Sequence, residues 1–178
     1  SAAGIADLCG NCWEWVSGAR LVNGEIQIIP YGNSMKSDCS MGADSTEWKA
    51  IMPDGTLVEP GTAGTLKIDR TSASSAVLRI NTGVTTQTTD SNDTNTPFKD
   101  TAAVSGVSIP KILIAAGFFP DSGQKAPGHF WARNNGERLP FRGSSFDNTS
   151  YGGVAALGLP HARSNVNNNV SFRSALYL

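Results

Sequence analysis

The chain has 178 residues, about one domain's worth and enough to bury a substantial core. Its 14 basic and 15 acidic residues leave a net charge of −1, which gives no electrostatic pull toward nucleic acid or an anionic membrane. With only 16% charged residues and 19 glycines, the composition suits a loop-rich extracellular or virion protein better than a helical cytosolic enzyme. No apolar run approaches the roughly 18 residues of a membrane span, so no membrane insertion is expected. Ser1-Ala2-Ala3 lacks the basic and apolar regions of a signal peptide. Cys9, Cys12 and Cys39 read as reduced, buried thiols, since any one disulfide would leave a thiol over. A structural zinc site would need a fourth ligand; the two histidines, His129 and His161, lie far along the chain, so no metal or cofactor is expected.

In chain order, Cys12 to Val16 reads as an aromatic strand, with Ser17 to Leu21 turning the chain. Val22-Asn23-Gly24 adds a turn signal, and Glu25 to Ile29 is the return strand of a hairpin ending at Pro30. Pro53-Asp54-Gly55-Thr56 is a turn, and residues 65–69 and 76–80 are short strand candidates. Residues 81–98 are almost wholly polar and read as a surface loop. Lys111 to Ala116 is the best helix candidate. Phe130 to Arg133 reads as a strand closed by a turn at Asn134 to Glu137, and Val170 to Leu178 as a closing strand.

From Phe141 the character changes. The last 38 residues contain no Lys, Glu, Gln, Met or Trp, although the first 140 contain 21 of them. Codons offer one explanation. Starting from AAC (Asn), replacing either adenine while keeping the final C reaches Asp, His, Tyr, Ser, Thr, Gly, Ala, Val, Pro, Leu, Ile, Phe, Arg and Cys. It never reaches Lys, Glu, Gln, Met, Trp or a stop. The alternative is a small-residue loop region that lacks these types by chance.

Three segments carry a resemblance. Gly10-Asn11-Cys12-Trp13-Glu14-Trp15-Val16 resembles the G-N-x-W-E-W-V motif of the formylglycine-generating-enzyme type of C-type lectin fold. Arg142-Gly143-Ser144-Ser145-Phe146 resembles that fold's R-G-G-S-W motif, with Phe146 in place of Trp. Asn168-Asn169-Val170-Ser171-Phe172-Arg173 resembles its N-N-I-G-F-R ending. Between them, Ala162-Arg163-Ser164-Asn165 resembles the A-R-S-N step of variable proteins of diversity-generating retroelements, found in phage tails and on bacterial surfaces. The resemblance implies an α+β C-type lectin fold, loop-rich, with short antiparallel strands and few helices. Residues 1–178 would form a single domain, either whole or the C-terminal part of a longer polypeptide, with a variable region at about 141–173. Only nine residues precede Gly10, where the family carries further structure.

The function this implies is display: a frame of Trp13, Trp15, Trp131 and Phe172 rings, with Arg142, Arg163 and Arg173 holding loop carbonyls. Asn165, Asn167, Asn168 and Asn169 would pin irregular backbone. The ligand-binding residues would be Phe146, Asp147, Thr149, Tyr151, Gly152, Ala155, Gly158, Pro160, His161 and Val166. Phe146 and Tyr151 would anchor through ring area, and Asp147 and His161 would add specificity. The expected partner is a protein or glycan on a cell surface, the expected location a phage tail or bacterial surface, and a homo-oligomer is compatible with this reading.

Enzyme chemistry is not expected. The family's oxidase uses paired cysteines near its C-terminal end, and no cysteine follows Cys39. Neither histidine accompanies a G-x-S-x-G nucleophile motif. Two alternatives are a structural virion or surface module and a calcium-dependent sugar lectin. The latter would need clustered oxygen ligands, whereas the tail's one acidic residue is Asp147.

Overall fold

A computed structural model describes residues 10–72, 76–89, 93–123 and 127–172. The molecule is mostly β, loop-rich and poor in helix, and two sheets carry its architecture. The strands are β1 (Trp13–Trp15), β2 (Ala19–Val22), β3 (Glu25–Ile28), β4 (Lys49–Ile51), β5 (Leu57–Val58), β6 (Lys67–Arg70) and β7 (Leu78–Asn81). There follow β8 (Thr94–Pro97), β9 (Ala102–Ala103), β10 (His129–Ala132), β11 (Glu137–Arg138), β12 (Phe141–Arg142), β13 (Leu157–Leu159) and β14 (Val170–Ser171). The helix α1 spans Lys111–Ala115, at the expected place. It is too short to cross a membrane, as is every other helix among the described residues.

The first sheet runs β14-β1-β12-β13-β10-β8, and the second β11-β2-β3-β6-β7-β9, with β4 and β5 branching from β3. Most ladders are antiparallel, but β1/β14, β10/β13 and β7/β9 run parallel. The two sheets enclose one core. Leu21, Ile26, Ile68 and Ile80 of the second sheet meet Phe130, Ala132, Leu157 and Leu159 of the first, with Leu113 of α1 and Phe118 closing it. Strand alternation explains this: each residue faces opposite to its neighbour, so Phe130 and Ala132 enter the core and His129 and Trp131 do not.

The structure corrects several expectations. The hairpin is β2–β3, not a pairing of Trp13–Trp15 with the return strand. Asn23 and Gly24, with φ of 48° and 82°, form the two-residue turn that joins Val22 to Glu25, a geometry suited to the twist of paired strands. β1 instead enters the other sheet. The polar stretch 81–98 is not all surface loop: β8 lies within it, and Thr88, Thr94 and Thr96 are buried. Threonine can do this because its methyl group packs while its hydroxyl bonds backbone. Thr96 Oγ1 accepts from Leu78 N at 2.8 Å. Cys12 and Cys39 are free and half-buried rather than sealed in the core; Cys9 lies outside the described residues.

Candidate functional site

The three segments that carry the resemblance are far apart in sequence and adjacent in space. Glu14 pairs with Arg142 and Trp15 with Phe141, while Trp13 pairs with Val170 and Glu14 with Ser171. The contact continues past the strands. Gly10 N donates to Gly143 O at 3.0 Å, Phe146 N to Asn11 O at 3.0 Å and Trp13 N to Asn169 O at 2.9 Å. The beginning of the described chain therefore bolts both ends of the tail.

The outer face of the first sheet is aromatic. One row across it reads Trp15, Phe141, Gly158, Trp131, Asn95, each paired with the next. Trp13 meets Trp131 edge-on at 5.3 Å between centroids and Phe141 at 4.7 Å. His129 lies 5.7 Å from Trp131, Tyr151 stands edge-on to His129 at 4.5 Å, and His161 stacks on Phe141 at 5.3 Å. A chain of ring contacts thus runs from Tyr151 through His129, Trp131, Trp13 and Phe141 to His161. Each aromatic pair contributes about 0.5–1.5 kcal/mol beyond its buried area. Gly158 makes the layer possible, because a Cβ there would overlap the Phe141 ring.

The loop following β12 carries four exposed residues of the expected contact set. Phe146 is 74% exposed and Tyr151 49%, and Asp147 and Thr149 are also exposed. The loop's backbone is held from within. Asn148 Oδ1 accepts from Ser145 N at 2.9 Å and from Ser145 Oγ at 2.7 Å, and Ser145 Oγ also contacts Asp147 Oδ1. Tyr151 N donates to Asn148 O at 2.9 Å, and Ala155 N to Pro127 O at 3.2 Å. Gly152 lies so close to Ser144, and Gly153 to Pro127, that a side chain at either would collide. Gly10, Ser144, Ser145, Phe146, Thr149, Gly152 and Gly153 enclose a hollow of about 280 Å³.

The remaining expected contact residues divide. Val166, 95% exposed, stands on the separate loop between β13 and β14. His161 is half-buried, and both histidines are shifted toward the neutral form. Burial lowers the pKa of each; for His161 the Arg133 charge adds to this, and for His129 the Asp100 charge opposes it. Gly152 is half-buried in the hollow's wall. Ala155, Gly158 and Pro160 are corrections: all three are buried, so they offer a ligand no surface in this conformation. Gly158 lies beneath Phe141, and Ala155 belongs to the core between the sheets.

The frame also differs in part from expectation. Trp13 is buried, and Trp15 and Trp131 are half-buried, but Phe172 is 77% exposed. Arg142 does hold a loop carbonyl, donating from Nη2 to Gly117 O at 2.6 Å and so tying β12 to the end of α1. Arg163 instead grips Glu137 with two bonds, Nε to Oε2 at 3.0 Å and Nη2 to Oε1 at 2.8 Å. Arg173 lies outside the described residues. Asn167 pins backbone by accepting from Asn168 N at 2.8 Å; Asn165 Oδ1 and Asn169 Oδ1 are buried without a hydrogen bond among the described residues.

A frame arginine that sequence reasoning missed is Arg138. It is 7% exposed and donates to Asn135 O at 2.7 Å and Pro160 O at 3.1 Å, so it fixes the backbone next to His161. Its position after the Asn-Asn-Gly turn could have marked it, because such turns leave carbonyls in need of donors. Among the described residues no three His, Cys, Asp or Glu side chains converge as metal ligands would. The search of family models and the search of curated proteins found no match for the chain.

Proposed function

We propose that this chain is a ligand-binding display domain with a C-type lectin fold of the formylglycine-generating-enzyme type. Its tail is diversified to change binding specificity, as in the variable proteins of diversity-generating retroelements on phage tails and bacterial surfaces. The observation that carries the reading is the loop 144–153. It turns Phe146, Asp147, Thr149 and Tyr151 outward from a backbone that its own hydrogen bonds and glycine approaches hold in place. A surface that must tolerate exchange of its side chains needs a backbone held mainly by residues other than the exposed ones, as Ser145 and Asn148 hold this loop. The meeting of the three motif segments around β1, and the absence of Lys, Glu, Gln, Met and Trp from the tail, support the same reading.

The contact set that follows is Phe146, Asp147, Thr149 and Tyr151, with Gly152 as wall, His161 at the far end of the aromatic layer and Val166 on the neighbouring loop. Phe146 and Tyr151 supply ring area at small entropic cost, and Asp147 supplies charge. The ligand is a protein or glycan of a cell surface. A library randomised at Phe146, Asp147, Thr149, Tyr151 and Val166, displayed and selected against immobilised proteins and glycans, tests this. Folded clones of distinct specificity are the expected yield. Failure to enrich any binder from a well-folded library would contradict it. The coding DNA gives a second readout: a nearby near-copy of the tail, differing at adenines, beside a reverse transcriptase gene.

A further inference from the structure

Tyr151, an anchor of the exposed loop, rests against a strand that lies outside the tail. Its ring stands edge-on to His129 of β10, 4.5 Å between centroids. On the same outward face, Asn95 of the edge strand β8 pairs with Trp131. Asn95 Oδ1 lies 3.2 Å from Nδ1 of His129, its diagonal neighbour across the two strands. That contact uses one polar atom of each side chain and leaves one of each over. With the Asn95 oxygen accepting from Nδ1–H, Asn95 Nδ2 remains as a donor and His129 Nε2 as an acceptor. With the amide turned the other way, Asn95 Oδ1 remains as an acceptor and Nε2–H as a donor. Either orientation therefore presents one donor and one acceptor beside Tyr151. Neither leftover atom bonds another described residue; Asn95 is exposed, and the free His129 nitrogen is open to solvent. Burial holds His129 toward its neutral form against the charge of Asp100, which is itself paired with Lys99 at 2.8 Å.

We infer that Asn95 and His129 form a fixed subsite of the ligand face, a donor–acceptor pair that takes a main-chain amide of a protein ligand. The inference rests on the display reading, and it names the ligand class. Both residues lie outside the tail, so they stay the same while Phe146, Asp147, Thr149 and Tyr151 are exchanged. A fixed contact serves every ligand of a changing face only if it meets a group that every ligand carries. The backbone N–H and C=O are that group in proteins, whatever their sequence, and glycans have no counterpart. In an extended segment one residue's N–H and C=O point to the same side, as they do toward a neighbouring strand, and so match a donor and an acceptor set side by side. Mounting the pair on two hydrogen-bonded strands lowers the ordering cost of binding.

Two libraries test this, each randomised at Phe146, Asp147, Thr149, Tyr151 and Val166 and selected against the same immobilised proteins and glycans. One keeps Asn95 and His129. The other carries Asn95→Ala and His129→Phe, where Phe keeps a ring against Trp131 but has no polar atom; near-UV circular dichroism confirms that this background folds. Protein binders from the first library should outnumber those from the second by about tenfold or more. Placing the two substitutions in each protein binder from the first library should weaken it by about tenfold or more, whatever its target. Binders with a small residue at position 151 should lose as much, since there His129 has no tyrosine ring to support. Equal yields from the two libraries, protein binders indifferent to the substitutions, or a loss confined to binders with an aromatic residue at 151 would overturn the inference and leave the display reading standing. So would a dependence seen only in glycan binders. No binder from either library would overturn both.

Discussion

At the scale of single residues, buried polar groups do much of the shaping. Asp69 has no exposure and accepts from Arg79 Nε, Asn81 Nδ2, Thr85 N, Thr85 Oγ1 and Thr86 N. Burial pushes its pKa up, but hydrogen bonds from the Asn81 and Thr85 side chains and the Thr86 and Arg70 backbone outweigh that and hold it at about 2. Because the folded value lies below the ordinary 3.8, this stabilisation is present above pH 3.8 and is lost as pH falls toward about 2. Asp69→Ala orphans five donors and should destabilise the protein by about 3–5 kcal/mol, read by urea denaturation. The histidines act in another window. Their folded pKa values lie below the ordinary 6.5, so the unfolded chain binds more protons, and stability falls as pH drops through and below 6.5. Replacing both His129 and His161 with Phe should flatten the melting temperature between pH 7 and 5; an unchanged slope would show that other groups set it. Thr149 is β-branched at φ 44°, whereas asparagine tolerates that region, so Thr149→Asn should stabilise by about 0.5–1 kcal/mol.

At the scale of elements, what was legible depended on the range of the signal. The Asn23-Gly24 turn, the Asp54-Gly55 turn, α1 and β10 were readable because each is fixed by residues within a few positions. The partner of Glu25–Ile28 was not, since Trp13–Trp15 and Ala19–Val22 are both plausible strands and only long-range packing decides between them. Thr94–Pro97 escaped because its core contacts come from threonine methyls in a polar run. The candidate site divides in the same way. Phe146, Asp147 and Tyr151 are exposed as expected, because turns of Ser, Asn and Gly announce surface loops. Gly158 is buried because its strand β13 lies between β12 and β10 in the middle of a sheet, an order that no local pattern shows, and Ala155 and Pro160, on either side of that strand, are buried too. Gly158→Val would drive a side chain into Phe141 in that central strand and should cost about 2–4 kcal/mol in chemical denaturation.

At the scale of the whole molecule, the two sheets use one strand set for two purposes. The inner face of the first sheet closes the core with Phe130, Leu157 and Leu159; its outer face supports the aromatic layer that links Tyr151 to His161. Exchange of outward residues on the loop is therefore separated from the core by a full strand layer. The central claim, a fixed frame carrying exchangeable side chains, is tested most directly by the melting temperature of one combined variant. Phe146→Ser, Asp147→Asn, Thr149→Asn, Tyr151→Ser and Val166→Asn together should move the midpoint by no more than about 5 °C, because at this chain length each kcal/mol shifts it by about 2–4 °C. Loss of cooperative unfolding, or a fall of more than about 10 °C, would contradict the account.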